Sequence, residues 1–194
     1  AIITLQAALP ENAERAKVVL SADDFTLDDI LPLVAPKPKA LAIFAATGGA
    51  YDELGQKLQR SLVATVPTND AASADLTILS YDPLDPVIPA GNAIVFVKDE
   101  TRGGAYLKGG IVAEKHPLID GLNWQSLLVR ETIQLQRRKS DSVILWQGTR
   151  PLIFLRETEA TAEAPASRQL CFNFDLRLSN AGTQPAFIVM LHRF

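Results

Sequence analysis

Leu41-Ala42-Ile43-Phe44-Ala45, the turn Thr47-Gly48-Gly49 and the run Ala50–Leu62 decide the fold of this chain. The first is a short unbroken apolar run, as a strand buried on both faces requires. The third carries Leu54, Leu58 and Leu62 at i, i+4 and i+8, the apolar stripe of a helix. The glycines between them let the backbone turn sharply from strand into helix. Leu62–Val66 reads as the next strand, ended by Pro67, with Leu76–Ser80 and Ala93–Val97 as the third and fourth. Strand, glycine turn, helix and strand at this spacing predict an α/β domain with a parallel sheet and right-handed crossovers.

Beyond the fourth strand the pattern changes. Residues 99–121 are polar and glycine-rich, with His116-Pro117-Leu118 inside. Val129, Glu131, Ile133 and Leu135 alternate with Arg130, Thr132 and Gln134, which predicts a one-sided strand. Val143–Trp146 and Pro151–Leu155, joined by a turn at Gln147–Arg150, predict a hairpin. Thr158–Ser167 reads as a surface loop and Gln169–Phe174 as a strand whose end carries Asp175. Pro185–Phe194 reads as a helix with proline in its first turn.

Towards the N-terminus, Ile2–Leu9 and Lys17–Leu20 read as short strands, and Leu27–Val34 is apolar but interrupted by Asp28, Asp29 and Pro32. Ala35-Pro36-Lys37-Pro38-Lys39 is a stiff proline linker. A boundary there divides the chain into residues 1–35, the end of an upstream β-rich region with its linker, and 36–194, the α/β domain. On this reading the chain is a piece of a longer protein.

Composition bounds the function classes. A chain of 194 residues, 47% hydrophobic and 21% charged, is long enough for one well-buried domain and excludes wholesale disorder. With 19 Lys+Arg against 22 Asp+Glu the net charge is −3, which gives no electrostatic footprint for nucleic acid. The longest uncharged stretch, Leu178–His192, is broken by Ser179, Asn180, Gly182 and Pro185 and falls short of a bilayer span.

Catalytic signals are sparse. Thr47-Gly48-Gly49 could offer backbone N–H groups to an anion at a helix N-terminus, but it matches neither G-x-G-x-x-G nor a P-loop. Asp82 follows the third strand, at the carboxyl end where α/β sheets bind ligands. Thr47, Gly48, Gly49 and Asp82 are therefore the candidate ligand-binding residues. Cys171 is the one possible thiol nucleophile, yet Leu170, Phe172 and Phe174 around it describe a buried strand and an inert thiol.

His116 and His192 have no second ligand at metal spacing, so neither a metal nor another cofactor is expected. The acidic pairs Asp23-Asp24 and Asp28-Asp29, and the loop acids Asp82 and Asp85, lack the alternating ligands of a calcium loop. Ser80, Ser126, Ser140 and Ser179 lack the glycine frame of a nucleophile elbow. Arg137-Arg138-Lys139 reads as a solvated basic turn, and Trp124 and Trp146 as packing.

Three stretches together resemble a known family. They are Ala74-Asp75-Leu76-Thr77-Ile78-Leu79-Ser80-Tyr81-Asp82 with Pro89-Ala90-Gly91-Asn92; His116-Pro117-Leu118-Ile119-Asp120-Gly121-Leu122; and Phe172-Asn173-Phe174-Asp175-Leu176-Arg177-Leu178-Ser179-Asn180 leading to Pro185-Ala186-Phe187. In order and spacing they are similar to the amidotransferase-like module of bacterial Bat-type (aerotolerance-like) membrane proteins with a von Willebrand factor A domain. The resemblance implies a class I glutamine amidotransferase-like, flavodoxin-like three-layer sandwich with a short N-terminal β segment.

True amidotransferases of that class carry a G-x-C-x-G elbow and a downstream His-x-Glu pair. Here Cys171 is on a late strand, while His116 and His192 are followed by Pro117-Leu118 and Arg193-Phe194. The expectation is accordingly a non-catalytic recognition module of a membrane-anchored parent. Its own residues would be soluble and extracytoplasmic, and would meet a protein partner, a small ligand or the parent's other domains. The alternative is a divergent amidotransferase or hydrolase using Cys171, and a weaker third reading is a free-standing sensor domain.

Overall fold

The computed structural model describes residues 15–19, 30–34, 39–62, 64–84, 86–101, 103–162 and 165–194. The chain forms two compact units, Ala1–Lys39 and Ala40–Phe194. In the first, β1 (Arg15–Val19) pairs antiparallel with β2 (Ile30–Val34), Arg15 opposite Val34 and Val19 opposite Ile30. Pro32 sits within β2 opposite Lys17, tolerated because a two-stranded sheet leaves one side of each strand without a ladder. The strand expected at Ile2–Leu9, the acidic pairs Asp23-Asp24 and Asp28-Asp29, Asp85 and most of the proline linker lie outside the described residues.

The second unit is a mixed α/β fold around an eight-stranded sheet. Its strands are β3 (Leu41–Ala46), β4 (Thr65–Pro67), β5 (Leu76–Tyr81), β6 (Ala93–Val97), β7 (Ile111–Ala113), β8 (Ser142–Gln147), β9 (Arg150–Thr158) and β10 (Ser167–Phe172). Their spatial order is β4-β3-β5-β6-β10-β9-β8-β7. Pairings from β4 through β10 are parallel, and those from β10 through β7 antiparallel. Helix α1 (Asp52–Ser61) follows β3, and α2 (Pro185–Arg193), with Pro185 in its first turn, closes the chain.

Strand β6 is buried at all five positions, and its side chains divide between the two faces. Ile94 and Phe96 join Ile43, Ile78, Leu170 and Phe172 under Leu58 of α1 and Phe187, Met190 and Leu191 of α2. Ala93, Val95 and Val97 join Cys171, Phe154 and Leu135 on the second face, with Ile88 packed alongside. Leu135 and Ile88 both belong to irregular segments. Both described helices thus cover one face, and extended chain covers the other.

The other parallel strands and the hairpin fall close to where the sequence places them. The strand expected at Leu62–Val66 is confined to Thr65–Pro67, because Leu62 caps α1 and Ala64 turns at φ 55°. Two further expectations need correction. Val129–Leu135 forms no strand: it makes only isolated bridges, Tyr106 with Arg130 and Val129 with Ser179. Buried positions are Val129, Thr132 and Leu135, one in three rather than one in two, while Glu131 and Ile133 are exposed. Its backbone donors go to scattered partners: Arg130 N–H to Leu178 O at 3.0 Å, Glu131 N–H to Ala105 O at 2.8 Å, Ile133 N–H to Asp99 Oδ2 at 3.0 Å and Leu135 N–H to Asn173 Oδ1 at 2.7 Å. The second correction concerns β3, which is not buried on both faces. Ile43 is its one fully buried residue, while Phe44 and Ala46 line an open groove. The sequence also gives no signal for β7, three residues in the glycine-rich stretch.

Candidate functional site

Three of the four residues singled out in the sequence line one groove at the carboxyl ends of β3 and β5. The groove, about 560 Å³, is walled by Thr47, Gly48, Ser80, Asp82 and Lys98, with Phe44 and Leu79 along its floor. Ala71 from the β4–β5 connection and Val87 and Pro89 from the β5–β6 connection form its far side. Among the described residues neither connection contains an α-helix, which leaves this part of the second face open. Gly49 is not part of the lining; it begins the short 3-10 turn Gly49–Tyr51 ahead of α1.

Local bonds fix the groove walls. Thr47 is 4% exposed, its hydroxyl donating to Asp52 Oδ1 at 3.1 Å and its carbonyl accepting from the Ser80 hydroxyl. Asp82 Oδ1 accepts from Leu84 N–H at 2.9 Å, and Oδ2 faces Lys98 Nζ at 3.5 Å. Lys98 also reaches Glu100 Oε1 at 3.2 Å, and Glu100, assisted by Asp82, holds the ammonium pKa above its ordinary value. Asp52 and Glu53 occupy the first turn of α1 and already place carboxylates at the positive end of its dipole. That arrangement weighs against an anion on the Thr47-Gly48-Gly49 turn.

Gly48 and Gly49 have φ of 67° and 58°, and a Cβ at either would meet no atom within 4 Å. Gly49→Val is therefore expected to cost at least about 1–2 kcal/mol from backbone strain alone. Urea unfolding measures it, and an unchanged midpoint would mean that the turn relaxes into another conformation.

A second cluster joins residues that the sequence keeps far apart. Tyr51, Asp99 and Asp175 are 0%, 3% and 0% exposed. Asp99 lies two residues beyond β6, Asp175 three beyond β10, and Tyr51 in the turn after β3, so strand ends bring them together. The Tyr51 hydroxyl donates to Asp175 Oδ2 at 2.5 Å and accepts from Asp99 N–H at 3.0 Å and Arg177 Nη2 at 2.5 Å. Asp175 Oδ1 accepts from Arg177 N–H at 2.8 Å, and Oδ2 also from Asp99 N–H at 3.1 Å. The Arg177 guanidinium lies over the Tyr51 ring, 3.5 Å from its centroid.

Charge states in the cluster follow from these partners. Burial would raise the Asp99 carboxyl, but hydrogen bonds from the Thr101 hydroxyl and amide and from Ile133 N–H hold it below its ordinary value. Burial first, and then Asp175, push the Tyr51 phenol above its ordinary value. A phenol raised in the folded state stabilises the fold fully below the unfolded value of about 10 and loses that contribution as pH rises through the folded value. Tyr51→Phe is expected to flatten the fall of stability above about pH 10. Urea midpoints across that range test it, and parallel curves for the two proteins would refute it.

Cys171 is fully buried on β10, and burial pushes its thiol up to about 12. His116 serves its own loop, Nδ1 accepting from Leu118 N–H at 3.2 Å. His192 stands apart, beside Leu41, Leu62 and Phe194 at the opposite end of the strands. Trp124 is core, and Trp146 carries the Arg137 guanidinium 5.7 Å over its ring. Among the described residues no group of three His, Cys, Asp or Glu side chains is placed to hold a metal. No described helix is long and apolar enough to cross a membrane. Comparison with protein-family models, with curated proteins and with solved structures found no match to this chain.

Proposed function

We propose that residues 40–194 are a flavodoxin-like, class I glutamine amidotransferase-like module without a catalytic centre, and that it recognises a protein or small ligand through the β3–β5 groove. Counted along the chain, its parallel strands β4-β3-β5-β6-β10 have the order 2-1-3-4-5, the order of flavodoxin-like sheets. The chain reverses direction across the sheet between β3 and β5, and ligands of such folds bind at that point. The observation that carries the reading is that Thr47, Gly48 and Asp82 line an open groove there. The sequence resemblance adds a parent of the Bat type, anchored in a bacterial membrane, with this module extracytoplasmic.

Two experiments test the reading. Immunoblotting of source-cell fractions is expected to place the module in the membrane, on a chain well above 21.0 kDa. A soluble band at that mass overturns the anchored parent. Asp82→Ala in the parent is expected to lose the bound partner while leaving the unfolding midpoint nearly unchanged, and retention of the partner removes the groove from the reading.

The competing enzyme reading requires a reactive Cys171. Iodoacetamide is expected to modify Cys171 no faster than the protein unfolds, because a buried thiol at a pKa of about 12 is neither ionised nor accessible at neutral pH. Stoichiometric alkylation of the native protein within minutes would instead favour the amidotransferase or hydrolase.

A further inference from the structure

Arg177 has more support than a counter-ion needs. Its distance to Asp175 Oδ2 is 3.6 Å, longer than a tight ion pair, because that carboxylate is already occupied by the Tyr51 hydroxyl and by backbone amides. The guanidinium lies instead over the Tyr51 ring and is bonded through Nη2 to the hydroxyl. No described residue accepts from its Nε or Nη1, and its side chain is 34% exposed. A rigid, half-buried guanidinium fork with unused donors suits an oxyanion, because little conformational entropy remains to be lost on binding.

The space in front of it is a second groove, of about 430 Å³, lined by Arg177, Arg130, Tyr106, Leu128, Ser179 and Asn180 among others. Arg130 adds a second guanidinium, stacked 4.9 Å from the Tyr106 ring centroid, with no carboxylate within ion-pair distance among the described residues. Among the described residues no acidic side chain lines this groove, and Asp175 behind Arg177 is fully buried. Its walls are braced: Asn180 Oδ1 accepts from Leu128 N–H at 2.7 Å, Asn180 Nδ2 donates to Ser126 O at 2.9 Å, and Arg130 N–H donates to Leu178 O at 3.0 Å. Tyr106 and Leu128, 53% and 54% exposed, add an aromatic and an apolar surface.

We propose that this groove binds a small molecule carrying a phosphate or carboxylate beside an apolar or aromatic body, the oxyanion held by Arg177 and Arg130 and the body set against Tyr106 and Leu128. The site is separate from the β3–β5 groove and shares none of its lining residues.

Calorimetric titration of the 194-residue chain with inorganic phosphate, phenyl phosphate and benzoate tests it. Saturable binding is expected in the millimolar range or tighter, with phenyl phosphate ahead of inorganic phosphate, and the benzoate arm decides between phosphate and carboxylate. Arg130→Gln leaves the buried cluster intact and is expected to weaken binding at least about tenfold, the usual effect of losing a charge-assisted contact. Arg177→Lys, checked for an unchanged fold, keeps the charge without the fork and is expected to weaken binding as well. Asp82→Ala, which alters the other groove, is expected to leave binding of these three probes unchanged, which separates this site from the recognition groove. Absence of saturable binding, binding indifferent to Arg130→Gln, or binding lost in Asp82→Ala would each overturn the proposal.

Discussion

Asp175→Ala is expected to destabilise the folded chain by about 3 kcal/mol, the cost of stranding buried donors and leaving a small cavity. Asp175 is fully buried and serves the Tyr51 hydroxyl, Asp99 N–H and Arg177 N–H at once. After truncation Asp99 N–H can still use the Tyr51 oxygen, at 3.0 Å, but the Tyr51 proton and Arg177 N–H have no replacement. Arg177 is one-third exposed and recovers part of its solvation, so the lost ion pair contributes little. Tyr51→Phe removes the hydroxyl but leaves Asp175 its amide donors, and is expected to cost about half as much. Urea unfolding of both variants decides the matter. A loss below about 1 kcal/mol for Asp175→Ala would mean that water enters and satisfies the stranded groups.

The same cluster explains how much of the site was legible. Thr47, Gly48 and Asp82 were visible because each sits directly after a strand that the apolar pattern marks, and glycine announces the turn. Tyr51, Asp99, Asp175 and Arg177 carry no local signature. The hydrogen bonds joining Tyr51 to Asp99, Asp175 and Arg177 span 48, 124 and 126 residues of sequence. Only the order of the parallel strands, which no window of sequence contains, makes them neighbours. Their one local hint is a shared position within a few residues of a strand's carboxyl end.

For the fold, legibility follows the source of each element's stability. Ala93–Val97 is legible because a strand buried on both faces must be apolar at every position, and it is. The β8–β9 hairpin is legible because its two-residue turn, with Gly148 at φ 58°, is a local device. Val129–Leu135 misleads because its alternation looks like a strand while its amides are divided among partners from several separate segments. Asp99 and Asn173 take the amides of Ile133 and Leu135, the carbonyls of Leu178 and Ala105 those of Arg130 and Glu131, and Arg150 Nη2 donates to Thr132 O at 3.0 Å. The segment is extended, as its residues favour, yet it lies against strand ends and pairs with no ladder.

Asp141→Ala is expected to cost about 3–5 kcal/mol, because it leaves a buried guanidinium without its carboxylate. Arg156 on β9 donates through Nε to Asp141 Oδ1 at 3.0 Å and through Nη2 to Oδ2 at 2.8 Å, with side chains 5% and 0% exposed. Arg156 Nη2 also donates to Gln136 O at 3.0 Å, and Asp141 Oδ2 accepts from Arg138 N–H at 2.7 Å. The pair therefore ties the chain following Leu135 to the sheet, and Leu135 packs on the face that no described helix covers. Two accounts of the pair predict different results for the double variant Asp141→Leu with Arg156→Met. If it contributes net stability, the double variant stays several kcal/mol below the parent chain; if it serves mainly to fix where the segment lies, an apolar replacement is nearly neutral. The second outcome is expected, since removing both charges together avoids the desolvation that makes each single variant costly. It would be accompanied by faster amide hydrogen exchange at Leu135, whose N–H bonds to Asn173 Oδ1 and whose neighbouring chain loses its anchors at Gln136 and Arg138. A double variant as unstable as Asp141→Ala would show instead that the ion pair itself holds the second face together.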